Sequence, residues 1–294
     1  MTLSLSLSEN IAKFEVWSWY GFGDGDMFEN QIAMKYRVLS VFALAVMFFY
    51  CCSCEKMPEP LIDYVDEYGV NHGAGVKIGK AVWAPVNCGY HKDDFKYGKL
   101  YQWGRKYGQG YNGNFYDGDW DQVYSDASFP ETIKGPVTSR EAQSKDNENK
   151  FYYNSSYPWH WCGIKQNNLW NSGTEKKPVK TEYDPCPDGW RVPTYAELKE
   201  LNKMYVVWIV DENRRSGCWF SEKSSYAETV PHVFLPAAGY CSGHHGRHGS
   251  RGRDGYYWSS KSDDDGLNYI VLSNPIGMYD LNTANGYSVR CVQE

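Results

Sequence analysis

The sequence lacks the features that mark several common classes of protein. Its formal net charge is -6 and its isoelectric point is about 5.7, so it has no sequence-wide positive field to hold nucleic acid. None of the six cysteines that follow Cys54 is spaced as CxxC, which argues against a zinc ribbon. No Ser, His and acid set or paired-carboxylate motif stands out. We therefore predict neither nucleic-acid binding nor catalysis of these kinds.

Long apolar runs are also scarce, and the clearest one lies near the N-terminus. Lys35 and Arg37 precede an apolar run from Val41 to Tyr50, which is the layout of a secretory signal and is short for a membrane span. The run leads into Ser53 and Cys54, which resemble the lipobox of bacterial lipoproteins. We predict a signal peptide at 34–53 and lipidation of Cys54, with the chain held at the outer membrane or cell surface by its lipid anchor.

Residues 1–33 fit poorly ahead of a signal peptide, because they carry several acidic residues and would place the signal inside the chain. We predict that they are a mis-assigned upstream extension and that Met34 is the true start. The alternative is an N-terminal transmembrane helix with a short cytoplasmic tail. Either arrangement takes the bulk of the chain out of the cytoplasm.

The rest of the chain divides by composition. Residues 54–74 are acidic and contain proline, as expected of a tether, so we predict one domain at 75–294. Asn, Asp, Gly, Ser and Lys dominate residues 109–182, which predicts a loop-rich insertion in that domain.

Regular structure is predicted on both sides of this insertion. "VKIGKAVWAPVNCGY" predicts a strand, a turn and a second strand. Thr194 and Glu197 fit a capping box ahead of a helix whose apolar face carries Ala196, Leu198 and Leu201. Short β-rich runs then follow, which are "YVVWIV", "GCWFSE", "VFLPAAGY", "GYYWSS", "NYIVLS" and "GYSVRCV". They predict an antiparallel sheet and an α+β fold with few helices, short strands and long loops.

Outside the cytoplasm, cysteines can form disulfides. The six that follow the anchor are Cys88, Cys162, Cys186, Cys218, Cys241 and Cys291. Six cysteines allow fifteen complete pairings, and the spacing does not choose among them.

Six motifs resemble the landmarks of a known family. In chain order they are "WAPVNCGY", "YGKLYQWG", "DPCPDGWRVPTYAEL", "LPAAGY", "GYYWSS" and "NGYSVRCV". They resemble the Fibrobacter succinogenes major paralogous domain family, in the order found in that family, from about Val76 to Val292. The resemblance implies a C-type-lectin-like fold, a secreted or lipid-anchored bacterial surface protein, and a disulfide between Cys186 and Cys291. A buried free thiol at each position is the alternative.

The sequence departs from calcium-dependent lectins. Neither "SNPIG" nor "SKSDDDG" has the tripeptides with which those lectins hold calcium, so we interpret the three aspartates from Asp263 to Asp265 as a solvated acidic turn. His244, His245 and His248 lie within five residues, but neighbouring glycines leave them unconstrained and neighbouring arginines repel cations. We predict no metal and no cofactor.

One enzymatic alternative remains open. The formylglycine-generating oxidases share the lectin-like fold and use a cysteine pair, for which Cys218 and Cys241 are available. Nothing around either residue resembles the active-site motifs of those enzymes. His160 and Cys162 are a second tempting pair, but a packing role for the neighbouring Trp159 and Trp161 is the better interpretation. We predict that the protein is not an enzyme.

The stretch from Tyr240 to Asp254 suggests display of a binding surface. It contains only Tyr, Cys, Ser, Gly, His, Arg and Asp, which are all reachable from an AAC codon by changing adenines alone. Residues 262–277 fit the same codon rule. Diversity-generating retroelements rewrite adenines in the genes of some lectin-fold surface proteins that resemble this one. An ordinary polar loop is the alternative explanation.

Together these features predict a surface protein that binds an external protein or glycan through its C-terminal face. Trp83, Trp103, Trp190, Leu235, Tyr257 and Trp258 are predicted to form the framework. The predicted ligand contacts are Tyr240, Ser242, His244, His245, Arg247, His248, Arg251, Arg253, Asp254, Asp263, Asp264, Asp265, Asn268, Asn274, Tyr279 and Asp280. A structural pilus or envelope component is the second hypothesis. Among the cysteines of the domain, Cys241, which lies in the stretch from Tyr240 to Asp254, is the one that we least expect to be required for the structure.

Overall fold

Strands make up most of the regular structure in the described part of the chain. A computed structural model covers residues 60–93, 95–110, 131–156, 159–164, 166–227, 229–263, 266–273, 276–281 and 284–294. The predicted extension at 1–33, the predicted signal peptide at 34–53 and the predicted lipidation site Cys54 lie outside these ranges. Among the residues covered, no helix is both long and apolar enough to cross a membrane.

The described residues form short strands and two short α-helices. The strands are β1 Asp63–Val65, β2 Asn71–Ala74, β3 Val76–Ile78, β4 Ala81–Trp83, β5 Tyr101–Gln102, β6 Glu131–Lys134, β7 Lys150–Tyr153, β8 Trp190–Arg191, β9 Tyr205–Val210, β10 Ser216–Ser221, β11 Val233–Pro236, β12 Tyr240–Cys241, β13 His248–Gly249, β14 Gly255–Asp263, β15 Gly266–Leu272, β16 Gly277–Leu281, β17 Gly286–Tyr287 and β18 Val292–Gln293. The helices are α1 Ser139–Ala142 and α2 Tyr195–Leu201, and a 3-10 turn spans Lys145–Asn147. The predicted α+β class with few helices is confirmed.

The strands pair into several small sheets. Two are four-stranded, in the orders β13-β12-β17-β5 and β3-β4-β18-β8, and two are three-stranded, β11-β10-β9 and β14-β15-β16. Strands β1 and β2 form an antiparallel hairpin, whereas β6 and β7 run parallel. The sequence analysis predicted many of the antiparallel strands but missed β1, β2, β5, β8, β13 and β16. Each of these has at most five residues, and the Gly and Asp of "GMYDL" in β16 have low β-propensity.

Helix α2 confirms the predicted capping box. The Thr194 hydroxyl accepts the Glu197 backbone N–H, and the Glu197 carboxylate accepts the Thr194 backbone N–H in return. Leu198 and Leu201 are buried as predicted. Ala196 is exposed, which corrects its place on the apolar face, since it is not three or four residues from Leu198 and so points elsewhere on the helix.

The β14–β15 ribbon separates two parts of the core. Tyr256 pairs with Val271 and Trp258 with Tyr269, so these four side chains share one face of the ribbon. The alternate residues, which include Tyr257 and Ile270, lie on the other face and belong to a separate buried cluster. One face of the ribbon therefore places Tyr257 in the core below α2. The other face carries the aromatic rings of Tyr256, Trp258 and Tyr269.

The compact unit begins earlier than the sequence analysis predicted. It runs from Leu61 to Glu294, so the β1–β2 hairpin, assigned above to the tether at 54–74, is part of the domain. Tyr64 is 1% exposed and its ring meets that of Trp190 edge-on at 5.3 Å. The Ile62 backbone N–H also donates to the side-chain oxygen of Gln293. Ile62 and Tyr64 are two residues apart, so both point to the same side of β1 and pack on the domain. The acidic composition of 54–74 did not reveal this alternation.

The loop-rich stretch at 109–182 also supplies part of the core. Its described portions contain β6, α1 and β7, and they bury Phe151, Trp161 and Trp170. The predicted packing role is confirmed for Trp161 but not for Trp159, which is 36% exposed. Scattered aromatics in a polar stretch therefore mark the points where its loops pack onto the core.

The disulfide implied by the family resemblance is present. The Cys186 and Cys291 sulfur atoms are 2.10 Å apart. Cys88, Cys162, Cys218 and Cys241 are buried. Cys241 is buried in β12 beside Leu100 and Phe151, at an inward position of a paired strand. This position differs from the expectation that Cys241 is not required for the structure.

Candidate ligand-binding site

A cavity of about 460 Å³ lies at the C-terminal part of the fold. Its lining residues are Tyr240, Ser250, Arg253, Tyr256, Tyr269, Val271, Asn285 and Tyr287. Half of them are tyrosines, and the volume lies within the range of roughly 300–1,000 Å³ found for small-molecule sites. We call this group the tyrosine cavity.

Four strands bring these tyrosines together. Tyr240 comes from β12, Tyr256 from β14, Tyr269 from β15 and Tyr287 from β17. The backbone holds β14 beside the residues after β17, because the Ser288 N–H donates to the Tyr256 carbonyl and the Trp258 N–H donates to the Ser288 carbonyl. This bridge places Tyr287 next to Tyr256, although they are far apart in the sequence.

The rings pack closely at the floor of the cavity. The Tyr256 and Tyr287 rings stack with centroids 4.9 Å apart, and the Tyr240 ring meets Tyr256 edge-on at 5.3 Å. Below them, the Tyr287 centroid lies 4.3 Å from that of Trp258 and 4.8 Å from that of Tyr269. Such ring contacts fix side-chain positions without a ligand, so the cavity is preformed.

The phenol groups of Tyr256 and Tyr287 stay neutral at physiological pH. Burial, with smaller contributions from nearby Asp254 and Tyr240, raises the pKa of Tyr256 to about 12. Burial also raises the pKa of Tyr287, and the Asn285 side-chain amide donates to the Tyr287 hydroxyl over 2.8 Å. The hydroxyls can therefore donate or accept hydrogen bonds, while the ring faces offer apolar contact.

Arg253 and Ser250 add polar groups at the rim. The Arg253 Nε donates to the Asp254 carboxylate over 2.9 Å, and an Arg253 terminal nitrogen lies 3.3 Å from the Ser250 hydroxyl. Asp254 is 8% exposed, so the pair is anchored at one end while the guanidinium reaches solvent. Ser250 has a φ of 62°, a strained backbone conformation for a residue other than glycine.

The stretch rich in Gly, His and Arg forms a hairpin above the cavity. Tyr240 pairs with Gly249 and Cys241 with His248. Ser242 is buried at the turn, where its N–H donates to the Arg247 carbonyl and its hydroxyl accepts the His244 N–H. The stretch is therefore more ordered than the flexible loop that its glycines predicted, because paired backbone groups close it.

Glycine is required where this hairpin crosses the next segment. Gly239 has a φ of 71°, and a Cβ atom there would lie 2.2 Å from the Gly249 carbonyl oxygen. The hairpin tip is held from outside as well, because the Asn154 N–H donates to the Gly243 carbonyl over 2.7 Å. These contacts set the position of Tyr240 over the cavity.

The three predicted histidine contacts have different surroundings. His244 and His245 are exposed, with ring centroids 5.7 Å apart. Burial, with Arg247 and His244 beside it, lowers the pKa of His245. His248 is partly buried, and burial together with Arg251 lowers its pKa to about 3. These shifts favour the neutral form of His245 and His248 at pH 7.

No histidine belongs to a group of close metal-ligand atoms in the described ranges. The one such group there is formed by the sulfur atoms of Cys88, Cys186 and Cys291, and two of these form the disulfide.

The remaining predicted contacts lie at varied distances from the cavity. Arg247 is exposed, whereas the Arg251 guanidinium packs over the Tyr97 ring at 4.9 Å and its Nε donates to the Ala238 carbonyl. Asp263 ends β14, and Asn268 in β15 pairs with Asp280 in β16, next to the pair of Tyr269 with Tyr279. Asp264, Asp265 and Asn274 lie outside the described residues. Of all the predicted contacts, Tyr240 and Arg253 line the cavity.

Sequence reasoning missed most of the lining. Ser250, Tyr256, Tyr269, Val271, Asn285 and Tyr287 were not among the predicted contacts. Tyr256 was hidden inside "GYYWSS", which we interpreted as framework. Period-two alternation along that strand separates Tyr256 from the fully buried Tyr257 and offered a signal that could have found it. The predicted framework residues Trp83, Trp103, Trp190, Leu235, Tyr257 and Trp258 are all buried.

The cysteines proposed for the oxidase alternative do not form a reactive pair. Cys218 packs in the cluster below α2, and Cys241 belongs to another buried cluster with Leu100. Burial raises the pKa of Cys218 to about 12, so its thiol is almost entirely protonated at neutral pH. This placement gives that chemistry no support.

Comparisons of the chain with protein-family models, curated proteins and solved structures found no match. We therefore infer the class of protein from the fold and the cavity alone. They define a mostly β domain with few helices in its described residues, with a preformed, tyrosine-lined cavity at its C-terminal part.

Proposed function

We propose that this protein binds an external ligand, a protein or a glycan, in the tyrosine cavity and carries out no catalysis. The observation that carries the proposal is the convergence of four tyrosines with Arg253, Ser250 and Asn285 around about 460 Å³. Tyrosine provides large contact area at low entropic cost, and a few placed polar groups orient a ligand.

The electrostatics of the rim favour a polar, weakly charged ligand surface. The Arg253 charge is offset by Asp254, and the Tyr256 phenol is neutral. An amide, a hydroxyl-rich ring or a flat apolar side chain would each meet stacking faces and hydrogen-bonding groups here.

Within the α+β class, we propose that the fold is C-type-lectin-like. The strand β18 lies between β4 and β8, which brings the two ends of the domain together, and the Cys186–Cys291 disulfide joins this strand to the segment before α2. The disulfide agrees with the one implied by the resemblance to the major paralogous domain family. Lipid anchoring at Cys54 would then hold the domain at the outer membrane or cell surface.

We further propose that the cavity wall varies by retroelement-driven diversification. Five of the eight lining residues, Tyr240, Ser250, Arg253, Tyr269 and Val271, lie in the two stretches that obey the adenine rule. A reverse-transcriptase gene beside this gene, with an imperfect repeat of these codons that differs only at adenines, is the expected finding. A complete genome without such a repeat would rule this out.

Binding is tested by screening the full-length chain against a glycan array and a displayed library of secreted protein domains. For the probe that binds best, Arg253→Ala and Tyr240→Phe are each expected to weaken affinity about tenfold or more, equivalent to about 1.4 kcal/mol. Arg253 is exposed and Tyr240→Phe keeps the aromatic ring, so the midpoint of thermal unfolding should change by less than about 3 °C.

Lys223→Ala is the matched control, because Lys223 is exposed and does not line the cavity. It should bind the probe as the unmodified chain does. Unchanged affinity in both cavity variants, or an affinity loss that Lys223→Ala shares, would contradict the proposal.

A further inference from the structure

Three sulfur atoms meet inside the domain, although a disulfide uses two of them. The Sγ atoms of Cys88, Cys186 and Cys291 all lie within 4.8 Å of one another, and all three residues are buried. Cys186 and Cys291 are bonded, and Cys88 is a thiol beside them. We call this group the sulfur cluster.

The surrounding groups hold Cys88 against the disulfide. The Cys88 N–H donates to the Val289 carbonyl over 2.9 Å, which ties its backbone to the segment that carries Cys291. The Cys88 thiol donates to the carbonyl of Pro185, the residue just before Cys186. Cys88 is therefore linked by hydrogen bonds to both sides of the disulfide.

Two tyrosine hydroxyls contact the same sulfur atoms. The Tyr101 hydroxyl donates to the Cys88 sulfur over 3.2 Å, and the Tyr64 hydroxyl lies 3.8 Å from the Cys291 sulfur. A hydroxyl that donates to sulfur stabilises negative charge there, which is the charge that a thiolate carries. The cluster thus contains an attacking group, a disulfide and hydrogen-bond donors.

We propose that Cys88 is an alternative disulfide partner for both Cys186 and Cys291, so that the sulfur cluster is an internal thiol–disulfide exchange centre. The Cys88 thiol loses its proton, and its sulfur bonds to one sulfur of the disulfide while the existing sulfur–sulfur bond breaks. The released sulfur keeps the electron pair of that bond and takes up a proton. One thiol and one disulfide are present before and after, so no external oxidant or reductant is consumed.

Burial makes this exchange slow in the folded domain at neutral pH. It raises the pKa of Cys88 to about 12, although the hydrogen bond from Tyr101 opposes this effect. The thiolate fraction at pH 7 is then on the order of 1 in 100,000, and it rises about tenfold for each pH unit. The native pairing is therefore kept under ordinary conditions, and exchange accelerates at alkaline pH.

The first test places Cys186→Ser and Cys291→Ser separately in the full-length chain, produced under oxidising conditions. Each protein is quenched in acid, alkylated and digested without reduction, and its linked peptides are identified by mass spectrometry. We expect a Cys88–Cys291 link in the first variant and a Cys88–Cys186 link in the second. Cys218→Ser is the control and should keep the Cys186–Cys291 link.

Cys88 recovered as an alkylated thiol in both variants, or linked to Cys162, Cys218 or Cys241, would overturn the proposal. The unmodified chain provides a second test that needs no variant to fold. After incubation from pH 7 to pH 10, peptides linked through Cys88 should appear about tenfold faster per pH unit. A chain that retains the Cys186–Cys291 link alone after prolonged incubation at pH 10 would equally count against exchange.

Discussion

At the scale of single residues, burial decides what the ionisable side chains do. Arg290 is 3% exposed and donates to the Asn87 side chain and to the carbonyls of Ala84 and Phe234. Arg105 is likewise buried, and its guanidinium donates to the Lys150 and Asn147 carbonyls. These arginines tie loops together through several donors each and are therefore structural, whereas Arg253 extends to the cavity rim.

His248 gives a pH-dependent prediction at this scale. Its pKa in the folded protein is about 3, below its ordinary value of 6.5, so the unfolded chain binds the proton more tightly. Stability is then complete above about pH 6.5 and falls as the pH drops toward 3. Between pH 7 and pH 5, the free energy of unfolding of the unmodified chain should fall by up to about 2 kcal/mol more than that of His248→Gln, as measured by urea titration.

His244→Gln in the same hairpin controls for the substitution itself, because His244 is exposed. Equal pH dependence in the unmodified chain and His248→Gln would show that His248 does not titrate differently on unfolding.

At the scale of elements, the short strands are stabilised by their packing against the rest of the domain. Strand β1 has three residues, and its central Tyr64 is 1% exposed while the flanking Val65 is 43% exposed. An isolated hairpin of this length is marginal in water, so contacts with the rest of the domain must hold it. The β12–β13 hairpin is held in the same way, by Asn154 and by the strand β17.

We expect Tyr64→Ala to lower the free energy of unfolding by about 3 kcal/mol or more, because it removes a fully packed ring next to Trp190. Val65→Ala in the same strand is the matched control and should cost less than about 1 kcal/mol. Urea denaturation of both variants measures the difference. If both variants lost similarly little stability, β1 would belong to the tether and not to the folded domain.

At the scale of the whole molecule, the two ends of the domain are fastened together. Strand β18 pairs with both β4 and β8, and the disulfide spans a sequence separation of 105 residues. The first aromatic framework residues and the last strand therefore form one sheet, and the tyrosine cavity is built on the part of the chain between them.

We expect the double variant Cys186→Ser/Cys291→Ser to lose about 4 kcal/mol of stability toward guanidinium, since a long loop is no longer closed in the unfolded chain. Reduction of the unmodified chain with dithiothreitol should produce a similar loss. Each single variant should lose less than the double variant, because Cys88 can then close a disulfide with the remaining cysteine. An unchanged denaturation midpoint in the double variant would show that the link does not stabilise the fold.

Local signals predicted the elements that depend on local chemistry. The capping box of α2, the turn between β3 and β4 and the strands β9 to β11 follow from residue type and spacing within a few positions. The pairing of Cys186 with Cys291 came from the resemblance of motifs, since spacing alone left fifteen pairings open.

The sequence by itself determined a mostly β domain with one well-capped helix, buried Trp residues and a polar C-terminal stretch, because alternation, capping and composition act over short distances. Only the tertiary structure decided that Tyr240, Tyr256, Tyr269 and Tyr287 face one cavity, and that Cys88 lies beside the disulfide. Both results depend on contacts between residues far apart in the chain. Strand pairing sets such contacts, and no local pattern encodes which strands become neighbours.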